Sequence, residues 1–245
     1  MNNRKTNFGK LKKNKNQKTK KVQDIFTKVS KKYDLMNDIM SFGTHRMWKN
    51  ILINKINIQK NDKIIDVGSG TGDLIKMIHK KYPDTKITSA DLNESMLMYN
   101  QQHFQGLSKN INWVNCNAEN LPFEDNTFDK YITAFCIRNV TLIDKAIYEA
   151  KRVLKCGGSF YCLEFSTPQN LTIKNIYDLY KSRIIPLIGD RITKNKKAYT
   201  YLEESITHFP TQEELLNKIK TIGFVNTSYI NLFNGIVAIH IGYKI

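Results

Sequence analysis

A short apolar run, Ile64-Ile65, meets Asp66 and then breaks into the alternating glycines of Val67-Gly68-Ser69-Gly70-Thr71-Gly72-Asp73. Leu74 to His79 follows with an amphipathic pattern, so the context is strand, tight turn, helix. Glycines at such a turn let a ligand approach the backbone closely, and the start of the helix offers free N–H groups. Asp91 ends the next strand-like run, Lys86 to Ala90. An acid at that place accepts both hydroxyls of a ribose in doubly wound nucleotide-binding folds. The chemistry these residues suit is the binding of a nucleoside-like ligand.

The spacing sorts the nucleosides. A dinucleotide site reads G-x-G-x-x-G, with the pyrophosphate on the helix dipole. Here the pattern is Asp-x-Gly-x-Gly-x-Gly, the third glycine one place early and an acid two places before the first. An acid beside the loop suits a ligand with an ammonium and a sulfonium better than one with two phosphates. The loop resembles the S-adenosylmethionine loop of class I methyltransferases. A turn serving only chain reversal, or a nicotinamide site, is the alternative.

The elements that must position these groups follow from periodicity. Strands are predicted at 63–67, 86–91, 111–115, 128–134 and 159–165, with helices at 71–80, 94–104 and 142–154 between them. This alternation calls for a parallel sheet covered on both faces. Val22, Ile25, Phe26 and Val29 mark an amphipathic helix, and a second is predicted at about 44–55, after a loop from Tyr33 to Gly43. Beyond Pro168 a helix is predicted from Leu171 to Ile185, then a polar, Tyr-rich stretch to Pro210. Thr211 and Glu214 form a capping-box pattern and Gly223 a stop. Two closing strands, Asn226–Leu232 and Ile236–Tyr243, flank Phe233-Asn234-Gly235, where Asn-Gly marks a hairpin.

At 245 residues with 41% hydrophobic content the chain can bury one sizeable core. No apolar run reaches the roughly 18 residues of a membrane-spanning helix. Nine Lys/Arg and no acid lie in residues 1–21, so over half of the net charge of +16 sits there. That segment has few apolar residues and is expected to be a disordered basic tail. With one Arg and no Ser it fits a transit peptide poorly, and a tether to nucleic acid or an anionic membrane is the alternative to a solvated extension. Cys116, Cys136, Cys156 and Cys162 and the five histidines lack metal-ligand spacing, so no metal is expected. Residues 22–245 are read as one domain, with about 22–58 as an N-terminal helical lid.

Several blocks sharpen the reading. They are Tyr33-Asp34-Leu35-Met36-Asn37-Asp38, Ser41-Phe42-Gly43-Thr44-His45-Arg46-x-Trp48-Lys49, Asn117-Ala118-Glu119-Asn120-Leu121-Pro122-Phe123 and Ile137-Arg138-Asn139-Val140-Thr141. Glu149-Ala150-x-Arg152-Val153-Leu154-Lys155, Leu163-Glu164-Phe165-Ser166 and Tyr199-x-Tyr201-Leu202-x-x-Ser205-Ile206 complete the set. In this order, from about Val22 to Lys244, they resemble the quinone-biosynthesis C-methyltransferases of the ubiquinone/menaquinone type, the 2-methoxy-6-polyprenyl-1,4-benzoquinol methylases among them. Two departures stand out: Cys136 where the family usually has Gly, and Cys156-Gly157-Gly158 where it has Pro-Gly-Gly. The first puts the local backbone geometry in question. Phe135-Cys136-Ile137-Arg138 is unlike the Asn-Pro-Pro-Tyr pattern of amino-directed DNA and protein-glutamine methyltransferases.

The resemblance implies a Rossmann-like α/β fold: seven strands, mostly parallel, with a C-terminal antiparallel hairpin and added N-terminal helices. It implies S-adenosylmethionine as cofactor, held by Asp66, Gly68, Gly70, Thr71, Asp73, Asp91, Asn117 and Ala118. Asn117 as a strand-end turn residue is the plainer alternative. Arg138 and Asn139 are the implied catalytic pair, Arg138 stabilising a developing quinolate and Asn139 orienting the hydroxyl. Arg138 paired for stability with a carboxylate such as Glu164 is the alternative. Tyr33, His45, Arg46, Tyr199 and Tyr201 are expected to line a substrate lid. The implied acceptor is a ring carbon of a polyprenylated benzoquinol, with demethylmenaquinol methylation or a non-catalytic scaffold as rivals. Peripheral membrane contact, a quinone-biosynthesis complex, a homodimer and a location on the matrix side of the mitochondrial inner membrane, or else the cytoplasm, belong to the same expectation. A nucleic-acid partner is not expected, since no platform of interleaved aromatic and basic residues is visible.

Overall fold

The structure is a computed structural model that describes residues 5–8, 11–14, 37–38, 41, 43–104, 110–184 and 196–245. Its core is a seven-stranded sheet. In chain order the elements are α1 (His45–Lys55), β3 (Lys63–Val67), α2 (Asp73–Lys81), β4 (Lys86–Asp91), α3 (Glu94–His103), β5 (Ile111–Asn115) and β6 (Phe128–Ala134). They continue with α4 (Ile143–Val153), β7 (Leu154–Phe165), α5 (Leu171–Leu179), α6 (Lys196–Thr207), α7 (Gln212–Thr221), β8 (Val225–Leu232) and β9 (Val237–Tyr243). The first two strands, β1 (Lys5–Phe8) and β2 (Leu11–Asn14), pair with each other as an antiparallel ribbon outside the main sheet.

The strand order is β5-β4-β3-β6-β7-β9-β8. The pairs from β5 to β7 are parallel, and β9 runs antiparallel to both β7 and β8. The order reverses between β3 and β6. At such a switch point a crevice opens beyond the carboxyl ends of the strands. Successive residues of a strand face opposite ways. Ile64, Ile132 and Tyr161 accordingly join one core with Trp48 and Leu52 of α1, Ile75 of α2 and Leu202 and Ile206 of α6. Ile65, Tyr131 and Phe160 join the other, with Ile147 and Ala150 of α4 and Leu215 and Ile219 of α7. The sheet is buried on both sides, as the near-continuous apolar strands require.

Thr211 caps α7 as its spacing predicts: its hydroxyl accepts from Glu214 N–H and its own N–H donates to the Glu214 carboxylate at 2.8 Å. Elsewhere the structure departs from the expectation. Within the basic segment, the described stretches Lys5–Phe8 and Leu11–Asn14 pair as strands. β7 starts at Leu154, not 159: it pairs with β6 at Leu154 and again from Ser159, with Gly157 at φ +80° in the bulge between. The helix predicted over 171–185 is α-helical to Leu179 and then a π turn over Tyr180–Ile184. The Tyr-rich stretch before Pro210 contains α6. Its Tyr and Thr residues, interspersed among good helix formers, masked the helical pattern, and burial of Tyr201, Leu202 and Ile206 on the helix decides in its favour. The helix expected over Val22 to Val29 lies outside the described residues.

Candidate active site and cofactor cleft

The crevice at the switch point is an open cleft of about 800 Å³. Its walls are the glycine loop after β3, Ala90 to Asn93 at the end of β4, Cys116 to Glu119 after β5, and Phe135, Cys136 and Asn139 to Thr141 after β6. Each of these segments lies at the carboxyl end of a strand, which is why short stretches far apart in sequence converge here.

Asp91 is the most constrained wall residue. One carboxylate oxygen accepts Gly70 N–H and the other Asn93 N–H, each at 2.8 Å. Burial pushes its pKa up, and the backbone donors pull it back. The acid therefore stands fixed between the glycine loop and the start of α3, in the place a ribose would occupy. Asn117 and Ala118 line the same cleft; the Asn117 side chain also accepts from Glu119 N–H at 2.9 Å and closes a local turn. Glu119, not singled out by sequence, ties the walls together: one carboxylate oxygen accepts Thr141 N–H at 2.7 Å and Leu142 N–H at 3.1 Å. It sits in the Asn-Ala-Glu block, but nothing local marks its partner.

A smaller chamber adjoins the cleft and shares Gly68, Gly70 and Phe135 with it. Asp66, Thr71 and Asp73 line it, together with Lys49 from α1. Lys49 Nζ donates to Asp73 Oδ2 at 2.7 Å. Burial alone would raise Asp73, yet the Lys49 ammonium holds its carboxyl below the usual range. Asp66 is 1% exposed, and neither of its carboxylate oxygens has a hydrogen-bond partner. Burial pushes it up to about 7, with Lys49 opposing and Asp91 and Asp73 adding to the rise. The orphaned acid and the paired lysine give the chamber both signs of charge.

The turn after β6 carries the implied catalytic pair. Phe135 adopts φ +55°, a left-handed conformation that is costly for a bulky residue, while Cys136 at φ −112° needs no glycine. The Cys136 side chain instead fills the space over Gly68, where a Cβ would collide with its sulfur. Gly68 is obligatory for that reason as well as for its φ of +74°. Burial pushes the Cys136 and Cys116 thiols up to about 12, so both stay protonated and pack as small apolar groups.

Asn139 lines the cleft, and its Oδ1 accepts the Tyr201 hydroxyl of α6 at 3.0 Å. Two sequence candidates 62 positions apart thus meet. Arg138 turns the other way. Its side chain is 2% exposed, and Nη1 donates to Glu164 Oε1 at 2.8 Å and to Phe135 O at 2.6 Å. Glu164 also accepts Arg138 N–H and Phe165 N–H. The pairing raised as an alternative is the one observed. Tyr177 of α5, which sequence did not single out, is buried within electrostatic reach of this pair.

His45 and Arg46 lie on neither cavity wall. Asp38 accepts from both, His45 Nε2 at 2.8 Å and Arg46 Nη2 at 2.8 Å, and so clamps the preceding segment onto α1. Burial lowers the His45 pKa, with Lys49 adding to the fall, so the ring is neutral at neutral pH and Nε2–H is the donor. Arg46 remains 65% exposed. Tyr199 belongs to α6, and Tyr33 lies outside the described residues. Among the described residues no cluster of three His, Cys, Asp or Glu could hold a metal.

The sheet order, the glycine loop and the acid after β4 define a class I S-adenosylmethionine-dependent methyltransferase. Solved structures share that fold: a SAM-dependent methyltransferase from Aquifex aeolicus matches with TM-score 0.63 at 16% identity over 88% of this chain and 97% of its own. Haemonchus contortus phosphoethanolamine N-methyltransferase 2, solved with S-adenosylhomocysteine, matches with TM-score 0.61 at 13% identity over 80% of this chain and 52% of its own. The profile of the ubiE/COQ5 methyltransferase family matches residues 12–244, and the chain belongs to that family. A ubiquinone/menaquinone biosynthesis C-methyltransferase of Rickettsia bellii is 46% identical over 98% of this chain and 99% of its own. A mitochondrial 2-methoxy-6-polyprenyl-1,4-benzoquinol methylase of Gallus gallus is 40% identical over 98% and 89%.

Proposed function

We propose that the protein methylates a ring carbon of a polyprenylated benzoquinol in ubiquinone biosynthesis, using S-adenosylmethionine. The names of its bacterial and avian relatives support C-methylation in quinone biosynthesis. The observation that carries the acceptor reading is the Tyr201–Asn139 hydrogen bond, which presents a fixed amide at the cleft. The bound cofactor supplies an electrophilic methyl on a sulfonium. Asn139 orients the quinol hydroxyl that pushes electrons into the ring. Arg138 holds Phe135 O and Glu164 and so keeps Asn139 in register, its charge lending a positive potential to the developing quinolate. The ring proton would pass through water to solvent or to a side chain of the cleft. A non-catalytic scaffold would have no need for a complete cofactor wall.

The test is methyl transfer from labelled S-adenosylmethionine to short-tail demethylated benzoquinol and naphthoquinol. Ring-methylated benzoquinol is the expected product. Naphthoquinol product alone would move the protein to menaquinone synthesis; cofactor binding without either product would overturn the quinol reading.

Peripheral contact with an anionic bilayer, the matrix face of the mitochondrial inner membrane if the avian relative is the guide, fits α5. No helix among the described residues is long and apolar enough to cross a membrane. α5 and its π turn expose Leu171, Ile176, Leu179 and Ile184 with Arg183, and the half-exposed Asp178 is neutralised by Lys174 and Lys181, while Tyr177 points inward to the Arg138 pair. An apolar strip with a cation beside it is the pattern of an interfacial helix. Replacing Leu171, Ile176 and Leu179 together by serine is expected to abolish flotation with phosphatidylglycerol-containing vesicles. Undiminished flotation would remove α5 from the contact, and loss of a dimer instead would assign the face to a second copy.

A further inference from the structure

We propose that Lys49, on α1 and outside the strand–loop–helix core, reads the amino-acid end of S-adenosylmethionine, taking the carboxylate while Asp66 takes the ammonium. The chamber that holds both residues adjoins the nucleoside cleft, the two sharing Gly68, Gly70 and Phe135 in their linings. A nucleoside held at Asp91 would have its 5′ substituent beside the glycine loop, on the side where Lys49 and Asp66 lie. An amino-acid terminus carries both charges and needs both partners.

Each partner is present and incompletely used. Asp66 has two buried oxygens and no donor for either. Folded proteins rarely leave buried polar atoms unsatisfied, and such exceptions point to a missing ligand. Lys49 has three N–H donors, and the hydrogen bond to Asp73 uses one. Its side chain is 8% exposed, so the ammonium is desolvated enough for a further anion to be held strongly. Position is rigidly set: the neighbouring Trp48 packs edge-on against Phe165 and Phe233 and near Phe135, and Leu52 and Ile53 anchor the same helix. Asp73, by engaging Lys49, aims the ammonium at the chamber.

The glycine loop itself supplies no cation, which explains why the N-terminal segment must reach over it. Lys49 is thereby a binding determinant for the cofactor and a link between α1 and the loop. The rival role is a structural ion pair pinning α1 to α2.

The experiment compares two ligands on the full-length protein by calorimetry: S-adenosylhomocysteine, and 5′-methylthioadenosine, which keeps the nucleoside thioether and lacks the amino-acid end. Lys49→Met is expected to weaken S-adenosylhomocysteine by about 10- to 100-fold, the scale of a lost charge-assisted hydrogen bond. Binding of 5′-methylthioadenosine should stay within about three-fold, and that retained binding also reports an intact cleft. Lys49→Arg should recover part of the loss, and Asp66→Asn should show the same selectivity. Equal weakening of both ligands, or of neither, overturns the proposal in favour of the structural pair. Failure of the unaltered protein to bind S-adenosylhomocysteine overturns the cofactor assignment on which it rests, a result distinct from the first.

Discussion

Replacing Arg138 by methionine is expected to cost about 3–5 kcal/mol of stability and at least about 100-fold in methyl transfer, by separable routes. The stability loss comes from Glu164. Its side chain is 1% exposed, and without the guanidinium at 2.8 Å it becomes a buried charge with only two backbone donors. The activity loss comes from the turn: Arg138 holds Phe135 O, and Phe135 sits at a strained φ of +55° that the surroundings must enforce. Relaxation there moves Asn139, whose Nδ2 also reaches Phe135 O. A displacement of about 1 Å is enough for a loss of that size.

The double variant Arg138→Met with Glu164→Leu separates the two routes. An apolar pair of similar volume in place of a buried ion pair is often neutral or stabilising. Denaturant unfolding should therefore show most of the lost stability restored. Methyl transfer should remain lost, because the hydrogen bond to Phe135 O and the positive charge are still missing. Restored activity would mean that Arg138 serves stability alone.

The second large effect is a pH dependence at Asp66. Its pKa rises from an ordinary 3.8 to about 7 on folding, because burial disfavours the charge. Between those values the folded protein holds a proton that the unfolded chain has released. Stability then falls as pH rises, by about 1.4 kcal/mol for each pH step of one across that window, or about 4 kcal/mol in all. The loss begins near pH 4 and is complete above about pH 7. An asparagine at this position carries no titrating proton. Asp66→Asn is therefore expected to match the unaltered protein near pH 4 and exceed it by up to about 4 kcal/mol at pH 8. The difference in unfolding free energy measured across that range isolates this group from all others. A difference that does not change with pH would show that the Asp66 carboxyl finds a partner in solution.

The same group links binding to protons. An ammonium placed against Asp66 favours its charged form, so cofactor binding below pH 7 should release a proton. Its affinity should rise with pH and level off near 7. Calorimetry in buffers of different ionisation enthalpy reads that release directly. The instability of the free chamber and the affinity for the amino-acid end have one physical origin.

Much of the candidate cofactor cleft's backbone was legible in the chain because its logic is local. The Asp66-to-Asp73 run signals a strand, a glycine turn and a helix within a few residues, and Asp91 is placed by the end of a strand alone. The capping box of α7 and the turn at Asn234-Gly235 belong to the same short range. β7 and α6 were less legible, since a glycine bulge and tertiary burial decide them.

Partnerships were decided only by the tertiary structure. Lys49 meets Asp73 across 24 positions, Arg138 meets Glu164 across 26, and Tyr201 meets Asn139 across 62. Sequence marked Arg138 as functional and left both quinol and Glu164 open as its partner; the β6–β7 pairing sets Ala134 beside Leu163, so that the turn after β6 lies next to Glu164 near the end of β7. It passed over Lys49 because a lysine on a helix before the first core strand resembles any solvated charge until α1 is laid over the glycine loop. Local spacing determines which backbone conformations form. Which side chains then share a buried space depends on strand order and helix packing, and those are set by burial of the whole chain.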